Sequence, residues 1–458
     1  MIENDAFKLL LINLFHLNPD DIANILCTTF NKMMVLVVTL ADKHQACPYC
    51  GFTAPKIKEY VTKEITHSAL TTQKCIIKYR ARRYKCPCCG KTYYEFNPFV
   101  FKSQKISILT VHNILKDLKD FNETFTSVAR RYHVSPTSVS TIFDNHVDIG
   151  RNPLPEIINF DEVYAFKSEK SKYVCVLLDF KKQIPVDVLP NRKKEYLLNY
   201  FQKIPLEERK KVKYACSDMY EVYRDVVHKV FPEAKHLLDY FHLSQDFHKK
   251  MNEVRIKVMK GYKDDKASDE YYLLKKFNWL LFKNPEDEDK YGRLFDVERE
   301  RKYNSHFKSY MNYYDLRKKL LEINNDLTIC YSLKLELVDF YSKSTIDNAQ
   351  VNLEHLIRSF IDTNIEEMIK FSNNLINWKQ EIINSFTIVG TEYKVEADKG
   401  QVVVCNKKVN NAIIENRNKI IKCIKNNANG YTNWLRFRNR VMYVLDPNAT
   451  FSLEPREK

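Results

Sequence analysis

Glycine is scarce in this chain, with 8 glycines among 458 residues. No glycine-rich phosphate loop and no nucleophile elbow stands out, so nothing points to chemistry that depends on either motif. No segment is typical of a membrane span or a secretory signal, because the apolar stretch at residues 7–17 is short, contains Lys8 and follows Glu3 and Asp5. Internal repeats are also lacking. We therefore expect a cytoplasmic protein with no membrane partner.

Positive charge is in excess, because 73 Lys and Arg residues against 58 Asp and Glu residues leave a net charge of +15 at pH 7. An excess of this size favours a polyanionic partner, since neutralising the phosphates of a nucleic acid releases its counterions. A merely basic protein without such a partner would have the same composition. The 44% of hydrophobic residues are typical of globular proteins, and the length allows two or three domains.

Four of the 12 cysteines form two CxxC pairs, Cys47-Pro-Tyr-Cys50 and Cys86-Pro-Cys-Cys89, each followed by a glycine. Thiols stay reduced in the cytoplasm, so disulfides do not explain these pairs. Four thiolates satisfy a tetrahedral zinc ion, and the glycine permits a tight backbone turn beside the sulfur atoms. We predict structural Zn²⁺ on Cys47, Cys50, Cys86 and Cys89, with Cys88 pointing away. Buried free thiols are the alternative.

A helix-turn-helix is predicted at residues 127–142, within a segment of helical periodicity from 106 to 146. Ala129 would lie at the helix crossing, and the shared core would comprise Val128, Val134, Val139 and Ile142. Ser135 is suited to cap the second helix and Pro136 to its first turn. His133 departs from the pattern, since the turn usually prefers glycine. An ordinary helical hairpin is the alternative.

The second helix of this motif would enter the major groove of DNA, and the first would lie near phosphates. The residues predicted to contact DNA are Arg130 and Arg131 at phosphates, and Thr137, Ser138, Ser140 and Thr141 in the groove.

An alternation of short strands and helices follows. Strands are predicted at residues 157–161, 173–180, 184–189, 212–217 and 235–239, and helices at 194–204 and 220–230. The order βββαβαβ is that of an RNase H-like α/β fold. Nearer the N-terminus, strands are predicted at 33–40 and 75–84. Residues from about 245 to 395 have the composition of a large all-α insertion, and a final helix is predicted at 405–425. We therefore divide the chain into a zinc-binding β module at 1–100, a helix-turn-helix domain at 101–150 and a catalytic domain at 151–458.

Three carboxylates are candidates for a metal-dependent catalytic site. Asp161 and Asp218 end two strands that neighbour each other in an RNase H-like sheet, and Glu415 lies on the helix after the insertion. Such ligands select Mg²⁺ or Mn²⁺, and a pair of these ions catalyses phosphoryl transfer without a protein nucleophile. Each residue has a plainer interpretation as a turn, a cap or a solvated side chain. Nearby competitors for the same role are Glu162, Asp179 and Glu221.

Taken together, these segments resemble the ISL-three family of bacterial insertion-sequence transposases, a DDE group. The resemblance covers nearly the whole chain and rests on Arg82–Gly90, Phe160-Asp-Glu162, Ser217-Asp-Met-Tyr220, Asp239-Tyr-Phe-His242 and Asn411–Asn418 with the Gly430–Arg440 segment. It implies that Glu415 is the third member of a triad with Asp161 and Asp218, and it assigns no definite role to Asp239 and His242. Ala412 and Asn416 depart from the pattern, since glycines are usual there, and so does Asn426, which replaces a basic residue.

The resemblance also implies an activity and partners. The N-terminal modules would bind the terminal inverted repeats of double-stranded DNA, and the core would cut at each end and join the freed 3′-hydroxyl to target DNA. Handling two ends implies a homodimer or larger assembly. On the helix of Glu415, Lys419, Lys422 and Lys425 would line the DNA path or form a solvated face. The alternatives are a non-catalytic DNA-binding regulator derived from a transposase and a nuclease without strand transfer.

Overall fold

The computed structural model describes residues 2–43, 45–101, 104–166, 171–395 and 402–456. It is a mixed α/β structure with several sheets. Within those ranges, no helix is both long enough and apolar enough to cross a membrane.

The N-terminal region is a sheet covered by one helix. Its elements are α1 (Ile2–Leu14), β1 (Ile22–Phe30), β2 (Met33–Leu40), β3 (Lys56–Thr66), β4 (Cys75–Lys85) and β5 (Thr92–Tyr94). The strand order is β1-β2-β4-β3, with β5 also paired to β4. The strands predicted at 33–40 and 75–84 are confirmed. Strand β3 was not predicted, because most of its side chains are exposed and its sequence has no regular apolar alternation.

Three helices follow, α2 (Ile108–Asp117), α3 (Phe125–Arg131) and α4 (Pro136–His146). The predicted helix pair is confirmed as α3 and α4. Ser135 caps α4 by accepting a hydrogen bond from the backbone N–H of Ser138, with Pro136 in the first turn. Between the helices His133 has φ 53°, the left-handed conformation that favours glycine.

The second sheet contains five strands. In chain order its elements are β6 (Ile157–Val163), β7 (Val174–Asp179), β8 (Pro185–Leu189), α5 (Lys194–Gln202), α6 (Leu206–Arg209), β9 (Tyr214–Ser217), α7 (Glu221–Val230) and β10 (Lys235–Leu238). The strands lie in the order β10-β9-β6-β7-β8. Strands β6, β9 and β10 are parallel, and β7 is antiparallel to both β6 and β8. Each strand predicted for this region is present.

An insertion follows β10. Its helices are α8 (Tyr240–Lys260), α9 (Asp269–Lys276), α10 (Tyr313–Glu322), α11 (Asn325–Lys343), α12 (Ala349–Ile361), α13 (Glu366–Asn377) and α14 (Lys379–Asn384). They share one hydrophobic core. The expectation of an all-α insertion was wrong in part, because two small hairpins join α9 to α10. They are β11 (Glu288–Asp289) with β12 (Gly292–Arg293), and β13 (Lys302–Asn304) with β14 (Ser309–Met311).

After the insertion the chain forms a hairpin and two helices. These are β15 (Ile388–Val395), β16 (Val402–Lys408), α15 (Ala412–Asn427) and α16 (Trp434–Leu445). Two predictions were therefore wrong at their edges: residues 388–395 belong to a strand instead of the helical insertion, and residues 405–408 belong to a strand instead of the final helix. The β-branched run at 402–404 favours a strand, and pairing with β15 extends it to Lys408.

Helices cover both faces of the five-stranded sheet. Helices α5 and α7 pack on the face that presents Phe160 and Leu177. Helices α15 and α16 pack on the opposite face, which presents Val163 and Val176. Because successive side chains of a strand point to opposite faces, adjacent residues of β6 reach different helices. This arrangement determines which side chains meet at the end of the sheet.

Candidate functional site

Three carboxylates meet at one edge of the five-stranded sheet. Asp161 lies near the end of β6, Asp218 directly follows β9, and Asp239 directly follows β10. Since these strands are parallel, their carboxyl ends lie at the same edge. Sequence reasoning placed Asp161 and Asp218 together but assigned no such place to Asp239. The parallel pairing of β10 with β9 adds it.

Two adjoining groups of possible metal ligands form at this edge. The first comprises Asp161, Glu162 and Asp218, and in each group one ligand atom per residue lies within 4.8 Å of the others. The second comprises Asp239, His242 and Glu415. The Nε2 atom of His242 is 3.9 Å from Asp239 Oδ2 and 3.9 Å from Glu415 Oε1. The structure thus places Asp161 and Asp218 in one group and Glu415, with an imidazole, in the group beside it, close enough for Glu415 to affect the pKa of Asp161.

Hydrogen bonds from helix α15 hold Glu415 at this site. Glu415 lies in the first turn of α15. One turn later, Asn418 Nδ2 donates to Asp161 Oδ2 at 2.7 Å. At the start of the helix, the backbone N–H of Asn411 donates to Asp239 Oδ1 at 3.2 Å, and Asn159 Nδ2 donates to Asn411 Oδ1 at 2.7 Å. The helix is therefore tied to β6 and to the end of β10.

Burial makes negative charge costly at this site. The pKa of Asp161 is raised to about 7, chiefly by desolvation and to a smaller extent by the neighbouring carboxylates, while the hydrogen bond from the backbone N–H of Glu162 opposes the shift. Desolvation likewise raises the pKa of Asp218 and of Asp239, and the charge of His242 opposes both shifts. A bound divalent cation would reverse this balance by favouring the ionised carboxylates.

Several possible ligand atoms at the site lack hydrogen-bond partners. Within the described part of the chain, Asp218 Oδ1, Asp239 Oδ2 and His242 Nε2 are buried with no hydrogen bond. Buried polar atoms are normally hydrogen-bonded, so unpaired ones need an explanation. Carboxylate oxygens with one imidazole nitrogen are a donor set that fits Mn²⁺ and also Mg²⁺.

Glu162 differs from the other acidic residues because its charge is already balanced. It forms an ion pair with Arg192 and accepts a hydrogen bond from the Tyr223 hydroxyl at 3.1 Å. The guanidinium of Arg192 in turn lies 4.5 Å from the ring centroid of Tyr173 and 4.9 Å from that of Tyr220. The partners of Glu162 therefore lie on the α7 face of the sheet, whereas Asp161 contacts α15.

The two other competitors lie outside these groups. Asp179 Oδ1 accepts hydrogen bonds from the backbone N–H groups of Lys181 and Lys182, as expected of a turn residue. Glu221 is exposed at the start of α7, where Asn377 and Arg224 lie beside it.

The four predicted zinc ligands converge in the N-terminal region. Cys47 Sγ is 3.7 Å from Cys89 Sγ, and Cys50 Sγ is 3.5 Å from Cys86 Sγ. Zinc–sulfur bonds of about 2.3 Å place tetrahedral thiolates about 3.8 Å apart, so the spacing fits zinc. Cys88 is exposed and outside the group. Antiparallel pairing of β3 with β4 puts Lys56 opposite Lys85, which brings the two CxxC turns together.

Each CxxC turn has the same backbone form. Gly51 donates to the carbonyl of Cys47 and Gly90 to that of Cys86, both at 2.9 Å. Both glycines have φ near +70°, which a side chain would strain.

The helix pair α3–α4 exposes only part of the set of residues predicted to contact DNA. Arg130, Thr137 and Thr141 are exposed. Ser138 and Ser140 are partly exposed and hydrogen-bond within the motif. Arg131 instead forms ion pairs with Asp117 and Glu123, so its charge is held within the domain. The core prediction holds, since Val128, Ala129, Val139 and Ile142 are buried and Val134 packs beside them.

Basic residues of α15 and α16 divide into exposed and structural ones. Lys419 and Lys422 are exposed, and Lys425 lies over the Tyr164 ring. Arg440 is buried and donates to the carbonyls of Asp120 and Glu123, which joins α16 to the helix-turn-helix region.

A sheet edge bearing carboxylates thus follows a Cys₄ cluster and a pair of helices along the chain. The sequence model of the ISL-three family, described as a transposase, matches residues 158–397, just over half of the chain. This chain therefore belongs to the ISL-three family of transposases. The matched segment contains Asp161, Asp218 and His242 but ends before Glu415.

A curated transposase is similar to this chain over most of the length of both proteins. The transposase for insertion sequence element IS1001 from Bordetella parapertussis is 19% identical over 410 residues, which cover 89% of this chain and 90% of the relative.

Proposed function

We propose that this chain is a DDE transposase with an RNase H-like catalytic domain. The strand order β10-β9-β6-β7-β8 supports the fold assignment. Numbered along the domain this order is 5-4-1-2-3, with the first three strands antiparallel and the last two parallel to the first. The observation that carries the proposal is that the ligand group of Asp161 and Asp218 adjoins the group of Glu415, beside unpaired buried ligand atoms.

Asp161, Asp218 and Glu415 would hold divalent ions, and Asp239 with His242 would complete the set. When bound, a pair of such ions activates the attacking water or 3′-hydroxyl and stabilises the leaving oxygen. The protein groups orient the ligands: Asn418 fixes the carboxylate of Asp161, and the backbone of Asn411 fixes that of Asp239. Mg²⁺ and Mn²⁺ are the candidate ions. His242 favours Mn²⁺, because imidazole is a better ligand for Mn²⁺ than for Mg²⁺.

DNA binding would use the N-terminal modules. Arg130 and the exposed face of α4 would contact the terminal inverted repeats, and Zn²⁺ on the four cysteines would hold the N-terminal module together. On α15, Lys422 and Lys425 lie on the same helix as Glu415 and would contact DNA that enters the site. Cleavage at two ends in turn calls for at least a homodimer, acting on DNA in the cytoplasm.

Glu415→Gln tests the catalytic assignment. The wild type should cut element-end DNA and join it to target DNA in the presence of Mg²⁺ or Mn²⁺. Glu415→Gln should abolish both steps while leaving DNA affinity unchanged. Glu221→Gln is the matched control, since Glu221 lies near the site but outside both ligand groups; it should retain both activities.

The two alternatives have distinct outcomes. If the wild type binds element ends but never cuts them, the chain is a DNA-binding regulator. If it cuts without joining, it is a nuclease. If Glu415→Gln cuts normally, the third carboxylate is wrongly assigned.

A further inference from the structure

A third group of possible metal ligands lies apart from the catalytic edge. It comprises His228 near the end of α7, His236 on β10 and Glu381 on α14. Glu381 Oε1 is 4.0 Å from His228 Nε2 and 3.9 Å from His236 Nδ1. The group joins the central sheet and its helix α7 to the last helix of the insertion.

The hydrogen bonds of His236 determine which ring nitrogen carries its proton. The Ser217 hydroxyl donates to the carbonyl of Asp218 at 2.9 Å, and its oxygen lies 2.9 Å from His236 Nε2. With that hydroxyl donating to the carbonyl of Asp218, Ser217 is assigned as the acceptor from Nε2, which places the proton of the ring on Nε2. The neutral ring therefore turns the lone pair of Nδ1 toward Glu381.

That arrangement leaves two electron-rich groups facing each other in a buried place. The side chain of His236 is 0% exposed and that of Glu381 is 6% exposed. Across the described portion of the chain, His236 Nδ1 is among the buried atoms with no hydrogen-bond partner. A lone pair and a carboxylate repel each other, so the geometry calls for a cation between them.

We propose that His228, His236 and Glu381 bind a structural divalent cation of the zinc type. Two imidazoles and one carboxylate are a donor set that zinc uses, with a water molecule as the fourth ligand. Bonds of about 2.0–2.1 Å would place tetrahedral ligand atoms about 3.3–3.4 Å apart. The observed separations are slightly wider. A small rotation of the Glu381 carboxylate toward His236, together with one of His228, whose side chain is 56% exposed, would close them. The exposed side of His228 also provides access for the ion and the water.

The proposed site has a consequence for the catalytic edge. A metal on Nδ1 would fix the proton of His236 on Nε2, as other metal-bound histidines are fixed by their second hydrogen bond. Ser217 then links His236 to the backbone of Asp218. The ion would position Asp218 indirectly while it joins α14 to β10 and α7. The proposal does not depend on the catalytic assignment, since a non-catalytic chain would have the same site.

Zinc content of the full-length chain tests the proposal. Protein produced with added zinc and freed of loose metal should contain two zinc equivalents per chain, one on the cysteines and one here. His228→Ala should lose one equivalent, as should the isosteric Glu381→Gln. Because His228 is largely exposed, its variant should fold. His355→Ala is the matched control, since His355 is exposed on α12 and outside the group; it should retain both.

A Cys47→Ser variant separates this site from the cysteine cluster. It should retain the equivalent that His228→Ala loses. If the wild type contains only one zinc equivalent and His228→Ala contains none, the result would support this site and refute the cysteine site. The proposal would be overturned if His228→Ala and Glu381→Gln both fold and retain the zinc content of the wild type. His236 would then carry a proton on both ring nitrogens and form an ion pair with Glu381.

Discussion

Replacing Asp161 with asparagine should change the pH dependence of stability in a predictable direction. Burial raises the pKa of Asp161 from 3.8 to about 7. A carboxyl group whose pKa is raised by folding favours the folded state when protonated. Its contribution is therefore fully present below about pH 4 and is lost as the pH rises toward 7. At about 1.4 kcal/mol per unit over about three units, the loss is about 4 kcal/mol.

Asp161→Asn removes this loss but leaves one donor unpaired. The carboxylate accepts hydrogen bonds from the backbone N–H of Glu162 and from Asn418 Nδ2. An asparagine oxygen can accept from one of them, and the unpaired donor costs about 1–3 kcal/mol. Without divalent ions the variant should therefore be less stable than the wild type near pH 4 and more stable, by about 1–3 kcal/mol, at pH 8.

Urea unfolding at pH 5, 6, 7 and 8 in buffer without magnesium or manganese measures the effect. From pH 5 to pH 7 the free energy of unfolding of the variant, relative to the wild type, should rise by about 2–3 kcal/mol and then level off. Added Mn²⁺ should stabilise the wild type and the Asp179→Asn control at pH 8 and leave Asp161→Asn unaffected. Parallel pH curves for wild type and variant would refute the burial argument, and equal stabilisation by Mn²⁺ would refute the metal assignment.

Three further predictions concern the N-terminal modules. Arg130→Ala should weaken binding to element-end DNA and lower the salt slope of the affinity by about one, measured by titration at several salt concentrations; an unchanged slope would exclude a phosphate contact. Arg131→Ala should mainly reduce stability, by about 1 kcal/mol, since its partly exposed charge is paired within the domain; a DNA defect without lower stability would contradict this. His133→Gly should raise stability by about 1 kcal/mol because the left-handed conformation suits glycine, and a lower melting temperature would show that the imidazole contributes more than the strain costs.

Local patterns in the sequence were sufficient for much of the fold. Short apolar runs at residues 157–161 and 173–180 identified strands, which are buried on both faces. The Ser135-Pro136 pair identified the start of α4, because capping depends on a few adjacent residues. The two CxxC-Gly segments identified the Cys₄ cluster for the same reason, since the turn around each pair is a local structure.

The insertion and the final hairpin were harder to predict. The strand at 402–408 is followed closely by a helix, and the residue at which it ends depends on pairing with residues 388–395. A local sequence pattern contains no information about that pairing. The small hairpins at 288–293 and 302–311 are short and largely exposed, so they leave no clear periodicity.

The sequence by itself determined which acidic residues end strands and which lie on helices. Tertiary structure decided which of them meet. The parallel pairing of β10 with β9 brought in Asp239 and His242, and the packing of α15 on β6 brought in Glu415 across more than 250 residues of chain. It also assigned Arg131 and Arg440 to internal contacts. The physical reason is that strand order and helix packing depend on contacts between distant segments, whereas periodicity and capping depend only on neighbours.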